Sequence, residues 1–208
     1  MIRILGRANS FNVRKVLWTC AELGLAFERE DWGRGFRPTT DPEFLALNPI
    51  GLVPAVIDGD VVLCESNAIV RYLCNRYAPE SPIYPQDPVR RARAEQWMDW
   101  ANYETSISLR GAFLGGMLNE PPWNHPWFVE RGRNQITKEV GQLEAHFRSG
   151  GPYVTGTEFT LGDVPVGLVV NRWYHLDFPR PDYPAVAAYY ERLSQRPGYR
   201  AHVRNGFP

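Results

Sequence analysis

The sequence predicts a mixed α/β domain of about 80 residues followed by an all-helical domain. Three observations carry that reading. The first eighty residues alternate short apolar runs with stretches whose apolar residues recur at helical spacing. Four prolines then fall between Pro79 and Pro88, in PESPIYPQDP. Beyond them the apolar positions recur only at helical spacing, which is the signature of helices packed on helices.

Taken in order, Ile2–Leu5 reads as a short strand. Val13, Val16, Leu17, Cys20 and Leu23 lie at helical spacing, and Gly24 supplies the left-handed stop. Phe27–Asp31 reads as a second strand and Pro42–Leu47 as one or two helical turns. Val53–Ile57 and Val61–Cys64 flank Asp58-Gly59-Asp60, a hairpin signal with glycine in the turn. Ile69, Tyr72, Leu73 and Arg76 put a helix on Ser66–Tyr77, so the order is βαβ, a short helix, then ββα. The proline stretch reads as an extended connector, because proline cannot continue a helix. The boundaries are therefore 1–78 for the α/β domain, 79–88 for the linker and 89–208 for the helical domain. Within the last, one helix runs from Arg90 to about Met117. A second carries Ile136, Val140, Leu143 and Phe147 and closes at Gly150-Gly151. A third carries Val166, Val169, Val170 and Trp173, with Thr160-Leu-Gly-Asp163 in the form of a capping box before it. The fourth carries Val186, Tyr189, Tyr190 and Leu193.

Composition excludes several classes of function. The 208 residues are 44% hydrophobic, enough for a sizeable core, and 23 basic side chains face 23 acidic ones. No global basic field draws the chain to nucleic acid or an anionic membrane. The longest apolar run, around Val164–Val170, falls far short of the ~20 residues of a membrane span. Residues 1–8 alternate like a strand rather than a signal peptide, and a cytoplasmic protein is expected. Cys20, Cys64 and Cys74 form no C-x-x-C pair, each lying in a hydrophobic segment where an inert buried thiol is expected. His125, His146, His175 and His202 lack metal-ligand spacing, so no metal is expected.

Three stretches of the first domain carry chemistry. In Asn9-Ser10-Phe11-Asn12, Ser10 or Asn12 is placed to cap the helix that follows. The positive end of that helix also favours a nearby thiolate. No histidine or carboxylate lies within a few residues to activate Ser10, so a hydroxyl donating to a bound anion is expected rather than serine attack. In Asn48-Pro-Ile-Gly-Leu-Val-Pro54, Val53 is held extended before Pro54 at the start of a strand. A cis Val53–Pro54 bond would leave the Val53 N–H and C=O open to a peptide-like ligand. In Glu65-Ser66-Asn67-Ala68, Ser66 reads as an N-cap. Its hydroxyl and the helix N–H groups suit a carboxylate while Glu65 suits a neighbouring amine, the two charges of an amino-acid headgroup.

Ser-x-Asn-x-x-Lys-Val at 10–16, Asn-Pro-x-Gly-x-Val-Pro at 48–54, Glu-Ser-Asn-Ala-Ile at 65–69 and Thr-Leu-Gly-Asp at 160–163 resemble the cytosolic glutathione S-transferases. The likeness is to bacterial theta-like or nu-like members and spans essentially the whole chain. It implies a thioredoxin-like N-terminal domain, an all-α C-terminal domain, a cis Val53–Pro54 bond and a homodimer. It implies glutathione as co-substrate, with Ser10 against the sulfur and Asn12 taking that role in some bacterial members. Val53, with Pro54 beside it, would pair its backbone with the cysteinyl unit, and Glu65 and Ser66 would hold the γ-glutamyl group. Leu52 stands where relatives carry a polar or basic residue, so Arg37 or Arg34 is the candidate cation for the glycine carboxylate. Gly162 stands where alanine is commoner.

The expected chemistry is attack of the glutathione thiolate on a small hydrophobic electrophile, as in detoxification. The expected co-substrate pocket has Phe11 on one side and Tyr103, Phe113, Trp123 and Tyr174 on the other. Ser10 is the expected primary group at the sulfur, with Asn12 in support. The alternatives are a glutathione-dependent disulfide or peroxide reductase, which Asn12 favours, and a non-catalytic ligand- or protein-binding module. Retention of Ser10, Pro54, Glu65 and Ser66 argues against the last. The Ser-Ser-Cys motif of zeta-type isomerases is absent, and no cysteine occupies positions 9–13.

Overall fold

In the computed structural model, which describes residues 1–208, the chain divides into two units. The first is Met1–Tyr84 with Arg196–Phe207, and the second is Pro85–Gln195 with Pro208. No helix is long and apolar enough to cross a membrane.

The first unit begins with β1 (Ile2–Leu5), α1 (Phe11–Glu22) and β2 (Phe27–Glu30). β1 pairs with β2 in parallel, Ile2 opposite Phe27 and Leu5 opposite Glu30, so a helical crossover is needed between them and α1 supplies it. After α2 (Pro42–Leu47), β3 (Ala55–Asp58) runs antiparallel to β1, and β4 (Val61–Cys64) turns back on β3. The sheet order is β2-β1-β3-β4. Gly59, with φ at +61°, makes the tight turn of that hairpin. α3 (Ser66–Tyr77) follows and packs against α1, burying Ile69, Val70, Leu73 and Cys74 against a helix that buries every residue from Val13 to Cys20. Leu5, Trp32, Phe44 and Ala55 form a separate cluster under α2, with the Trp32 and Phe44 rings 5.1 Å apart.

β3 starts at Ala55 rather than Val53, since Pro54 has no N–H to give the ladder. The stretch from 79 is turned rather than extended: the Ser81 N–H donates to the Ala78 carbonyl, and the Ile83 N–H to the Ser81 hydroxyl. A final helix, α8 (Pro197–His202), was not legible in the apolar spacing. It returns to α1, where the Trp18 and Tyr199 rings lie 4.8 Å apart and Arg196 grips the Glu22 carboxylate at 2.6 and 3.0 Å.

The second unit holds α4 (Pro88–Leu109), α5 (Pro126–Gly150), α6 (Asp163–His175) and α7 (Pro184–Leu193). The first predicted helix ends early, at Leu109, and continues as a π-helical turn over Arg110–Gly115. That turn presses on α5. A Cβ on Gly111 would meet the Phe128 carbonyl oxygen at 2.1 Å, and one on Gly132 would meet the Ala112 nitrogen at 2.5 Å. Only two glycines let these backbones approach so closely. α6 is the core helix, buried without break from Asp163 to Asn171. The capping box before it forms in altered form. The Thr160 N–H donates to the Asp163 carboxylate at 2.8 Å, but the Thr160 hydroxyl also turns to that carboxylate, and Gly162 is the cap residue.

Candidate active site

Ser10 lies at the N-cap of α1 with extended backbone, and its carbonyl accepts the Arg14 N–H at 2.9 Å. Its hydroxyl makes no capping bond, although the residue is only 8% exposed. A cap serine ordinarily gives its oxygen to an N–H of the first turn. Asn12, the second residue of α1, instead reaches α3: its Oδ1 accepts the Ser66 hydroxyl at 3.3 Å.

The start of α3 differs from the expected N-cap at Ser66. Glu65 is the cap residue, with φ at +66°, and Ser66 is the first helical residue, buried and facing Asn12. A positive φ on a residue with a Cβ is one of only two in the chain, the other being Asn119. Such strain persists where the surroundings over-determine it, and it gathers at ligand sites. Here it falls at the corner between β4 and α3, where Glu65 is exposed.

Val53 precedes Pro54 through a cis bond, and its N–H and C=O lie outside the β1–β3 ladder. The loop before it is held by Asn48, whose Oδ1 accepts the Ile50 N–H at 3.1 Å and whose Nδ2 donates to the Leu52 carbonyl at 2.6 Å. The Leu52 carbonyl is thus already engaged. Arg37, the candidate cation for a carboxylate, pairs with Glu43 at 2.6 Å and Asp41 at 3.8 Å and stacks 3.8 Å over the Trp32 ring. Its charge is answered within the chain.

Sequence reasoning gave no role to Lys15, although it stands in the first motif. It is completely buried on α1, one turn after Asn12. Its Nζ donates to the Asn67 Oδ1 at 3.3 Å and lies 5.2 Å from the Phe11 ring centroid. Burial pushes the ammonium down from 10.5 to about 7, against the opposing pull of the Glu65 charge. Burial likewise lowers Arg14 to about 10, with Tyr199 and Arg7 acting in opposite senses. The Cys20 and Cys74 thiols are pushed up to about 12, chiefly by burial, and so are inert at neutral pH.

Of the expected co-substrate residues, Tyr103, Phe113, Trp123 and Tyr174 lie in the helical unit. Tyr103 and Trp123 line a cavity of about 500 Å³ in the helical unit, with Ile107, Trp127, Phe128 and Arg131. Phe113 is buried under the Arg172 guanidinium, 4.0 Å from its ring, and Tyr174 stacks on Tyr190 at 4.6 Å. Phe11 is partly buried beside Ser10. No group of three or more His, Cys, Asp or Glu side chains is placed to hold a metal ion.

Comparison with known proteins places this arrangement within a family. The family signature described as glutathione S-transferase, N-terminal domain, matches residues 2–75, and its C-terminal counterpart matches residues 128–192. Glutathione S-transferase GstB of Escherichia coli K12 is 36% identical over 205 residues, covering 98% of each chain. Glutathione S-transferase 3 of Zea mays is 30% identical over 217 residues, covering 97% of this chain and 93% of its own. Among solved structures, the theta class glutathione S-transferase of Xanthomonas axonopodis pv. citri with glutathione bound superposes with a TM-score of 0.91. It is 37% identical and covers 100% of this chain and 99% of its own.

Proposed function

The chain belongs to the glutathione S-transferase family, and we propose that it binds glutathione in its first unit and activates the thiol for attack on a small apolar electrophile. The observation that carries this reading is the Ser10 hydroxyl, left unspent at a helix N-terminus. In this reading the sulfur lies against Ser10, with the first turn of α1 adding its positive end. The Val53 backbone takes the cysteinyl amide, Glu65 the γ-glutamyl ammonium, and Ser66, its hydroxyl turning from the Asn12 oxygen to the ligand, joins the first N–H groups of α3 at the α-carboxylate. A free thiol of pKa ~8.5 is only a few per cent thiolate at neutral pH. Lowering it by ~2 units takes about 2.7 kcal/mol of differential stabilisation, within reach of a charge-assisted hydrogen bond and a helix end together.

The glycine carboxylate is assigned to backbone and to Arg37 or Arg34 of the same loop, with Arg37 also pairing with Glu43 and Asp41. Phe11 is the apolar residue nearest the proposed sulfur position in sequence and the first candidate to meet the electrophile. Disulfide or peroxide reduction remains the second reading, favoured by Asn12 in the same turn. We assign the protein to the cytoplasm.

Calorimetry with glutathione tests the binding reading. Ser66→Ala is expected to weaken binding by roughly 1–2 kcal/mol, the scale of a hydrogen bond to a charged group. Equal affinity in wild type and variant would remove Ser66 from the site.

A homodimer is the proposed assembly. Around the cavity of the helical unit, Tyr103, Ile107 and Trp127 are 68%, 63% and 54% exposed, an apolar patch of the kind that marks a protein contact. Light scattering at micromolar concentration is expected to give about twice the 23.8 kDa chain mass. Introducing a charge at Ile107 is expected to shift that mass toward the monomer, and a wild-type monomer would overturn the assembly.

A further inference from the structure

We infer that Lys15 is a positioning residue for glutathione recognition, a buried cation that answers the ligand's α-carboxylate through Asn67 at the start of α3. The inference deepens the proposed glutathione site and rests on it.

Two polar contacts tie α1 to the beginning of α3. Asn12 Oδ1 accepts from Ser66, and one turn further along α1, Lys15 Nζ donates to Asn67. Both α1 residues thus face the corner where Glu65, Ser66 and Asn67 present the proposed headgroup site. An ammonium is costly in that place. It is wholly buried, and its Nζ lies against Asn67 in the first turn of α3, at the positive end of that helix, where a cation is disfavoured. Methionine fills the same volume without that cost.

A ligand carrying a carboxylate resolves the conflict. With glutathione bound as proposed, the charges alternate: Lys15 positive, the ligand carboxylate negative, its ammonium positive, and Glu65 negative. Remove Lys15, and only the helix end and neutral donors answer the carboxylate. Asn67 is the intermediary, since its side-chain oxygen is held by Lys15 while its backbone belongs to the first turn that receives the carboxylate.

The groups around Lys15 leave its charge responsive to that ligand. On α3 the acidic group acting on it is Glu65, while Arg71 and the inert Cys74 thiol lie further along. On α1, Arg14 is engaged by the Asn205 side chain and the Phe207 carbonyl. From α8, Tyr199 acts on Arg14 rather than on Lys15, and His202 packs against Phe27. With its ordinary value of 10.5 brought to about 7 by burial, the amine changes charge near neutrality. A bound carboxylate favours the ammonium, so binding tightens as pH falls through that range.

The test is calorimetry with S-methylglutathione, which has no thiol to ionise, and with its analogue lacking the α-carboxylate, 4-aminobutanoyl-S-methylcysteinylglycine. Lys15→Met is expected to lose about tenfold in affinity for S-methylglutathione at pH 6.5 and to bind the analogue as wild type does. Wild-type affinity is expected to fall about threefold between pH 6 and pH 7.5, below the range in which the ligand's own ammonium deprotonates. The Met variant should be flat over that range, and Lys15→Arg should keep the affinity and also be flat. The Met variant should melt at a higher temperature at pH 6.5, because a buried charge has gone; this pairs gained stability with lost binding. Equal losses on both ligands, or an unaltered pH profile in the Met variant, would mark a packing role and overturn the inference. Wild-type protein that binds neither ligand would instead sink the glutathione reading itself, and this inference with it.

Discussion

Ser10→Ala is expected to raise the pKa of bound glutathione by at least ~1 unit, equivalent to about 1.4 kcal/mol, and to slow conjugation accordingly. Two residues of the same turn compete for the sulfur, and the structure gives them different occupations. The Ser10 hydroxyl makes no capping bond, whereas the Asn12 carbonyl oxygen is tied to Ser66 at 3.3 Å. A group already holding α3 in place moves the sulfur's pKa less than one whose hydroxyl is uncommitted. Asn12→Ala is therefore expected to weaken glutathione binding, by freeing the corner at Ser66, more than it shifts the thiol. Thiolate absorbance against pH, recorded on the saturated complexes of both variants, separates the effects. A shift confined to Asn12→Ala reverses the roles and strengthens the disulfide-reductase reading. No shift in either leaves the helix end and backbone as the activating groups and removes Ser10 from the mechanism.

Much of the first unit was legible because its elements have distinct periods. Val13, Val16, Leu17 and Cys20 spell one helix, and the hairpin around Gly59 announces itself by composition. Val61–Cys64 and Ser66–Tyr77 appear with their predicted bounds. Lys15 was hidden by the same logic that found α1. A lysine beside an apolar stripe reads as solvent-facing, yet this helix is buried on all sides over two turns, so the side chain has nowhere to go but inward. The corner at Glu65 was half legible. The chemistry of Glu-Ser-Asn could be read, but which of them takes the cap depends on one backbone torsion, +66° at Glu65, which the surrounding strand and helix dictate. Phe113 and Tyr174 illustrate a different limit. Aromatics at helical spacing show which face is apolar, not whether that face lines a cavity or packs on a neighbour; here Phe113 lies under Arg172, and half-buried Tyr174 stacks on Tyr190. α8 escaped because it is six residues long, too short for a period to show, and its anchor is Tyr199 against Trp18.

The largest loss of stability is expected from Asp163→Ala, about 3–5 kcal/mol out of a typical total of 5–15 kcal/mol. Asp163 is fully buried at the start of α6. Its carboxylate accepts the Val154 N–H at 3.0 Å, the Thr160 N–H at 2.8 Å and the Tyr189 hydroxyl at 3.0 Å. Alanine leaves two backbone N–H groups and a phenol buried without that acceptor, at about 1–3 kcal/mol for each unsatisfied group. The same burial that makes the bonds strong raises the carboxyl from 3.8 to about 6, partly offset by those hydrogen bonds. The sign of the pH dependence follows. Between about 3.8 and 6 the native state holds a proton that the unfolded state has released, so this group's contribution falls as pH rises through that window and is level above it. Paired or hydrogen-bonded carboxylates ordinarily act in the opposite sense, losing stability on acidification. Asp163→Asn, uncharged and nearly isosteric, is expected to abolish the Asp163 component of the profile and to cost less than alanine, since one carbonyl oxygen can still accept. Urea midpoints at pH 4, 5, 6 and 7 for wild type and both variants provide the comparison. An alanine variant within ~1 kcal/mol of wild type at pH 7, the net worth of one ordinary hydrogen bond, would show that the loop at Val154–Thr160 finds other acceptors and that Asp163 does not hold it.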